Sequence, residues 1–236
     1  MKLSIAIPTY EGGDGAGVFH LEYQFSRFMG QTFTDFEVVI SDHSELDSIK
    51  VLCEKYQKDL NIKYIKTDKD KGYWGSNLNN AIRNCSGDIV KTMLQDDFLF
   101  SDTSLKRIVD AFDIQETNWV VCGGLHTRDY VQYYNPVYPR YDPLVYRGIN
   151  TIGGPSCLAV RKTEDMLFFE DKLNWMADCD YYKRAYESFG PPFVIPESLV
   201  AYKQWEGQMT NTLSAETKKR EQLYLIEKFE AETTRK

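Results

Sequence analysis

Little in this 236-residue chain suggests a covalently stapled or metal-stapled fold. Its five cysteines (Cys53, Cys85, Cys122, Cys157, Cys179) are scattered and form no C-x-x-C pair. That pattern excludes a disulfide framework or a zinc ribbon and reads as reduced thiols in a cytoplasmic protein. The three histidines, His20, His43 and His126, have no metal-ligand spacing and read as ordinary surface or core residues. No apolar stretch approaches the roughly 20 residues of a membrane helix. The apolar start Met1–Ile7 ends at Pro8, too soon for a secretory leader. No transmembrane segment is therefore expected, and any membrane contact is peripheral. Basic clusters are missing too. With 28 Lys and Arg against 35 Asp and Glu, the formal charge is −7, which argues against a nucleic-acid partner. An acidic protein can still bind an anionic nucleotide when a metal bridges the like charges.

What is present is ordinary globular composition, 42% hydrophobic and 27% charged, with 16 Tyr, 13 Phe and 4 Trp. The length favours one large domain with a core sufficient for a central sheet. Short β-rich runs alternate with helical patterns through the first half. Strands are expected at 3–7, 36–41, 62–66 and 89–94, and helices at 18–29, 46–58 and 77–84, the last capped by Ser76. This rhythm predicts an α/β fold with a mainly parallel sheet flanked by helices on both faces. The second half breaks it. A helix is expected at 103–112, strands at 119–122, 157–160 and 199–202, and a helix at 178–188. Between Tyr130 and Tyr146, Tyr and Pro are too dense for regular structure, yet such aromatic content disfavours disorder. The tail from Ser214 reads as a charged helix with Leu223, Ile226 and Phe229 on one side. The domain division is thus 1–213, in halves 1–100 and 101–213, followed by a C-terminal helix over 214–236.

Gln95-Asp96-Asp97, where the apolar run 89–94 stops, is the most informative feature. Two adjacent carboxylates at the carboxyl end of a strand call for a cation or a set of donors. Mg²⁺ is typically held by one or two carboxylates together with substrate phosphates, so a metal–diphosphate site fits. A structural alternative is the start of the next helix, but Asp102-Thr103-Ser104 already explains that start, and Phe98-Leu99-Phe100 intervene. A dinucleotide reading competes. Gly12-Gly13-Asp14-Gly15-Ala16-Gly17 follows the first strand, and Asp42 ends the second, as in an NAD-dependent oxidoreductase. The spacing is G-x-G-x-G and not G-x-G-x-x-G, no G-K-[ST] follows, and Asp96-Asp97 would have no role.

Five segments in order resemble the signatures of family 2 glycosyltransferases. They are Ile5–Tyr10, Val39–Ser44, Lys71–Ala81 and Gln95–Asp97, then more loosely Trp175–Tyr182. The resemblance covers about the first 100 residues well and extends loosely to Gln208. It implies a GT-A fold, and transfer of a sugar from a nucleotide-diphosphate donor with inversion. By that resemblance Pro8, Thr9 and Tyr10 line the base pocket, with Tyr10 stacking on the base. Asp42 meets the base or ribose, while Gly75 and Asn77 pack near the nucleotide. Asp96 meets the ribose or donor sugar, and Asp97 holds Mn²⁺ or Mg²⁺. Gln95 replaces the first acid of the family's D-x-D pattern, and Glu11 stands where Asn or Asp is frequent; both are carried as donor-side residues. UDP is the default nucleotide, and a glycan or glycolipid is the implied acceptor.

Asp178 matches the family position for the general base that takes the acceptor's proton. It would equally serve as a helix N-terminal carboxylate. Asp180 is about 200° further round the helix, so the two cannot share one pocket. Asp180, Trp175 and the loop Gly154-Pro155-Ser156 are the candidate acceptor-side residues. Relatives often carry a metal-binding His where Trp205 stands here. A nucleotidyltransferase would require a basic residue after the first strand, and none is evident. A non-catalytic carbohydrate- or nucleotide-binding module would leave a separately placed carboxylate at 178 without a purpose.

Overall fold

Leu3–Thr9 is buried at every position, as a central parallel strand must be. It forms β1 at the middle of the sheet in the computed structural model, which describes residues 1–114 and 116–233. Helix α1 (Ala16–Met29) leads to β2 (Phe36–Asp42), and α2 (Ser48–Tyr56) to β3 (Ile62–Lys66). Helix α3 (Trp74–Arg83) returns to β4 (Ile89–Thr92). These four strands are parallel in the order β3-β2-β1-β4, the alternation expected from the sequence. Their carboxyl ends, Thr9, Asp42 and the turn after Thr92, therefore open on one edge.

The second half turns the sheet mixed. After β5 (Phe98–Leu99) and α4 (Ser104–Ile114) come β6 (Trp119–Thr127), β7 (Tyr133–Val137) and β8 (Leu158–Arg161). Helix α5 (Ala177–Phe189) precedes β9 (Phe193–Lys203), the short α6 (Met209–Thr212) and α7 (Ala215–Thr233). Strand β8 runs antiparallel between β4 and β6, β9 pairs parallel with β6, and β5 pairs antiparallel with β9. The sheet thus continues past the donor half and carries β9 back to the Asp96-Asp97 turn.

Several local expectations change. Ser76 lies inside α3, which starts at Trp74 after Tyr73, and its hydroxyl donates to Asp70 Oδ2 at 3.2 Å. The Tyr-rich stretch contains a strand, because β7 can pair with the far half of β6. Helix α7 docks through Glu221, Leu225 and Phe229, spaced i, i+4, i+8, while Leu223 is 48% exposed. Residues 234–236 of the expected C-terminal helix lie outside the described residues. All five cysteines are free and buried, and no helix among the described residues is long and apolar enough to cross a membrane.

Candidate active site

The loop after β1 is built around a buried carboxylate. Glu11 Oε1 accepts the amides of Gly13 and Gly15 at 2.7 and 3.0 Å, and its Oε2 accepts the Val18 amide at 2.9 Å. The glycine-rich amides that would cradle a dinucleotide pyrophosphate are therefore held by the chain's own anion. Glu11 is 4% exposed and shapes the start of α1. Gln95 ties this loop to the carboxylate turn. Its Oε1 accepts Tyr10 N at 2.8 Å and its Nε2 donates to Gly17 O at 2.8 Å. Gly17 is required by this closeness, since a Cβ there would lie 2.6 Å from Tyr10 O and 2.7 Å from Gln95 Nε2. Tyr10 itself projects outward, 57% exposed, with its ring free to stack.

Behind Tyr10 the residues are closed in. Pro8 and Thr9 are buried opposite Ser41 and Asp42 in the β1–β2 ladder. Asp42 is fully buried, which differs from the open base or ribose contact expected of it. Its Oδ1 accepts Thr9 Oγ1, Ser44 N and Ser44 Oγ at 3.1, 3.0 and 2.5 Å, and its Oδ2 accepts Tyr64 Oη at 2.8 Å. Asp42 thus holds the strand ends together. Asn77 Nδ2 donates to Thr9 O at 3.0 Å, and its buried Oδ1 has no partner. Gly75 is buried and closely packed, since a Cβ there would sit 3.0 Å from Glu170 O.

The two carboxylates of the turn differ. Asp97 faces inward, 4% exposed, with Oδ2 accepting Ser156 Oγ at 2.5 Å and Oδ1 accepting Lys203 N at 3.2 Å. Asp96 is part-exposed, and its Oδ2 accepts the Trp205 indole N–H at 2.8 Å. Among the described residues no other side chain donates to its Oδ1. Burial raises both carboxyls above the usual range, and for Asp97 the adjacent Asp96 charge adds to the rise. A cation would relieve both effects. Beneath them Lys91 is fully buried, donating to Thr92 O and Leu158 O at 3.1 and 3.2 Å and to Ser156 O. It fixes the turn that carries Ser156.

That turn also reaches the second acidic station. Tyr182 Oη donates to the Gly153 and Gly154 carbonyls at 3.1 and 3.2 Å. Asn150 Nδ2 donates to Gly153 O at 3.1 Å and to Asp178 Oδ2 at 2.8 Å. Asp178 is part-exposed near the start of α5, and burial raises its carboxyl to about 6. A carboxyl there is poised to accept a proton near neutrality.

Of the acceptor-side candidates, Ser156, Pro155 and Asp180 are committed to the fold. Ser156 is fully buried, its hydroxyl committed to Asp97 and to the Leu94 amide at 2.9 Å. Pro155 is buried, with its carbonyl accepting Thr92 Oγ1 at 2.6 Å; Gly154 remains part-exposed. Asp180 is fully buried between Arg184 and Lys228, so it cannot meet an acceptor. Trp175 is part-exposed and packs against the core. The sequence reading missed His20, whose ring lies 4.8 Å from that of Trp205, and whose Nδ1 shares a 2.5 Å hydrogen bond with Tyr130 Oη. It also missed Lys203, whose ammonium lies 5.2 Å over the Tyr130 ring and in the field of Asp96. Only proximity in space marks either of them.

A family model described as "Glycosyl transferase family 2" matches residues 4–166. The chain is similar to the poly(ribitol-phosphate) beta-N-acetylglucosaminyltransferase TarS of Staphylococcus aureus, 29% identical over 105 residues. That stretch is 44% of this chain and 18% of TarS. It also resembles the GalNAc(5)-diNAcBac-PP-undecaprenol beta-1,3-glucosyltransferase of Campylobacter jejuni, 32% identical over 101 residues, 42% of this chain and 31% of that protein. The chain therefore spans less than a third of either curated relative. In three dimensions it superposes on S. aureus TarS 1–349 in complex with UDP-GlcNAc, with a TM-score of 0.74 at 19% identity, over 91% of this chain and 62% of that one. The mannosyltransferase PcManGT of Pyrobaculum calidifontis, in complex with GDP-Man and Mn²⁺, gives 0.64 at 16% identity over 87% and 58%. At such identities the likeness shows the shared GT-A fold.

Proposed function

The chain belongs to glycosyl transferase family 2, and we propose that it moves a sugar from a nucleotide-diphosphate donor to a hydroxyl acceptor with inversion. One observation carries this reading. Two acidic stations, Asp96-Asp97 and Asp178, are joined by the single segment Asn150–Ser156, and each has different partners. Asp178 takes the proton of the acceptor hydroxyl as that oxygen attacks the anomeric carbon. The bond from that carbon to the diphosphate breaks on the opposite face, and the diphosphate leaves with the electron pair. No covalent enzyme intermediate is needed.

The donor set at 96–97 fits a hard divalent cation, Mn²⁺ or Mg²⁺, that arrives with the diphosphate. The ligand role expected of Asp97 passes in this reading to Asp96, whose Oδ1 would be the open ligand, because both Asp97 oxygens already accept Ser156 Oγ and Lys203 N. Trp205 cannot ligate, and no group of three potential ligands exists among the described residues. Phosphate oxygens would therefore complete the coordination. When bound, such an ion offsets the charge of the departing diphosphate. Lys203 adds a positive charge on the same side. Tyr10 stacks on the base, while Thr9, Asp42, Glu11, Gln95 and Asn77 shape the pocket behind it.

UDP remains the favoured nucleotide, supported by the TarS complexes with UDP-GlcNAc and UDP. The curated relatives act on a poly(ribitol-phosphate) and on an undecaprenol-linked glycan, which supports a glycan or glycolipid acceptor in polysaccharide assembly. The oxidoreductase alternative loses its phosphate cradle to Glu11. A thermal-shift panel of UDP, GDP, dTDP and NAD, with and without Mn²⁺, tests the reading. Stabilisation by a nucleoside diphosphate that strengthens with Mn²⁺ is expected. Stabilisation by NAD alone would overturn it.

A further inference from the structure

Helix α7 buries a carboxyl side chain on the face it shares with Leu225 and Phe229. Glu221 is 3% exposed, and desolvating a carboxylate is costly unless it is hydrogen-bonded. Its partners are the amides of Asn174 (3.1 and 3.2 Å), Trp175 (2.7 Å) and Met176 (3.0 Å). Those residues end the segment that opens α5, and Asp178 is the second residue of that helix. Seven positions further along α7, Lys228 Nζ donates to Asp180 Oδ1 at 2.6 Å. The C-terminal helix thus grips the chain on both sides of Asp178.

The opposite side of this segment is held by the donor half. Trp74 Nε1 donates to Asn174 O at 2.7 Å. Asn79 bonds Phe169 in both directions, donating to its carbonyl at 2.7 Å and accepting its amide at 2.9 Å. Residues 169–176 are therefore clamped between α3 and α7 immediately before the base. Within that clamp, Glu221 is the only carboxylate among the described residues bonded to all three amides of 174–176.

We propose that Glu221 is a positioning residue for sugar transfer, fixing the 174–176 segment so that Asp178 faces the acceptor. This rests on the reading of Asp178 as the base. A displacement of about 1 Å at a reacting group can cost about 10²-fold in rate. A residue that only docks α7 would not affect the rate or the Asp178 titration of the folded protein.

The test compares wild type, Glu221→Ala and Asp178→Asn, with whichever of UDP-GlcNAc, UDP-glucose and GDP-mannose the wild-type chain turns over. For Glu221→Ala, UDP should bind at full stoichiometry with affinity within about twofold, while kcat falls on the order of 10-fold to 10²-fold. The Asp178 carboxyl, followed by ¹³C NMR, should titrate below its wild-type value near 6, because a released segment admits water. Cys157, Cys179 and Tyr182 around it are held protonated by burial, so the titration reports Asp178. If Glu221→Ala fails to fold, Glu221→Gln, which keeps one acceptor oxygen, carries the same measurements. Unchanged kcat and an unmoved Asp178 titration, with Asp178→Asn inactive, would overturn the positioning role and leave the base intact. Transfer surviving in Asp178→Asn would instead remove the base reading itself.

Discussion

Asn150 donates its side-chain amide to Asp178 Oδ2 at 2.8 Å, and the same amide group donates to Gly153 O at 3.1 Å. One short segment therefore links the carboxylate proposed as base to the turn whose Ser156 holds Asp97. Removing the donor should leave Asp178 less favourably charged, because hydrogen bonding to a carboxylate lowers its pKa. For Asn150→Ala, the acid limb of the kcat/KM–pH profile is expected to move to higher pH than in wild type. A limb that stays in place would separate Asn150 from the base.

The titration of Asp178 also sets a stability signature. Its folded value, raised to about 6 by burial, lies above the ordinary 3.8. The folded state therefore binds this proton more tightly than the unfolded state. The stability contributed by Asp178 is fully present below pH 3.8 and lost as pH rises through about 6. Asp178→Asn should consequently be more stable than wild type at pH 8, by up to about 3 kcal/mol, and equal to it well below pH 3.8. Denaturant titrations at the two pH values check both the sign and the convergence.

Gly17 gives a test of the donor loop. Gly17→Ala places a methyl 2.6 Å from Tyr10 O and must displace the stacking residue or Gln95. UDP affinity should fall at least about 10-fold, the equivalent of about 1.4 kcal/mol. Gly30→Ala, whose added Cβ would have no neighbour nearer than 3.8 Å, should leave binding unchanged. Isothermal titration of UDP into both variants makes the comparison.

Asp180→Ala separates architecture from acceptor recognition. It leaves Arg184 and Lys228 without their shared carboxylate, with side chains only 24% and 22% exposed. Breaking such a pair should cost about 3 kcal/mol, seen in urea unfolding. The acceptor KM of the folded fraction should stay within about twofold. A large rise in acceptor KM would restore the contact first expected of Asp180.

The donor half was legible because its signals are local. Each strand from β1 to β4 was marked by a short apolar run, its end placed within two residues, and Gln95-Asp96-Asp97 lies in the turn just past β4. The rest depended on partners distant in sequence. The two-residue β5 exists only because β9, about a hundred positions later, offers it an edge. Asp42 looked like a ligand contact until Ser44 and Tyr64 closed over it. Asp180 read as an acceptor contact, and Glu221 was one charge among many on a helix read only as charged. Only the docking of α7 on α5 shows that Lys228 and the amides of 174–176 take up those charges. The same docking explains why Leu225, and not Leu223, faces inward.

The central claim is that binding and proton abstraction belong to different carboxylates. Single-turnover transfer by Asp178→Asn, measured beside its Mn²⁺-dependent UDP affinity, tests this most directly. The expected result is UDP affinity within about twofold of wild type, with transfer slowed by at least about 10²-fold. Transfer at a near wild-type rate, or loss of UDP binding together with turnover, would contradict it.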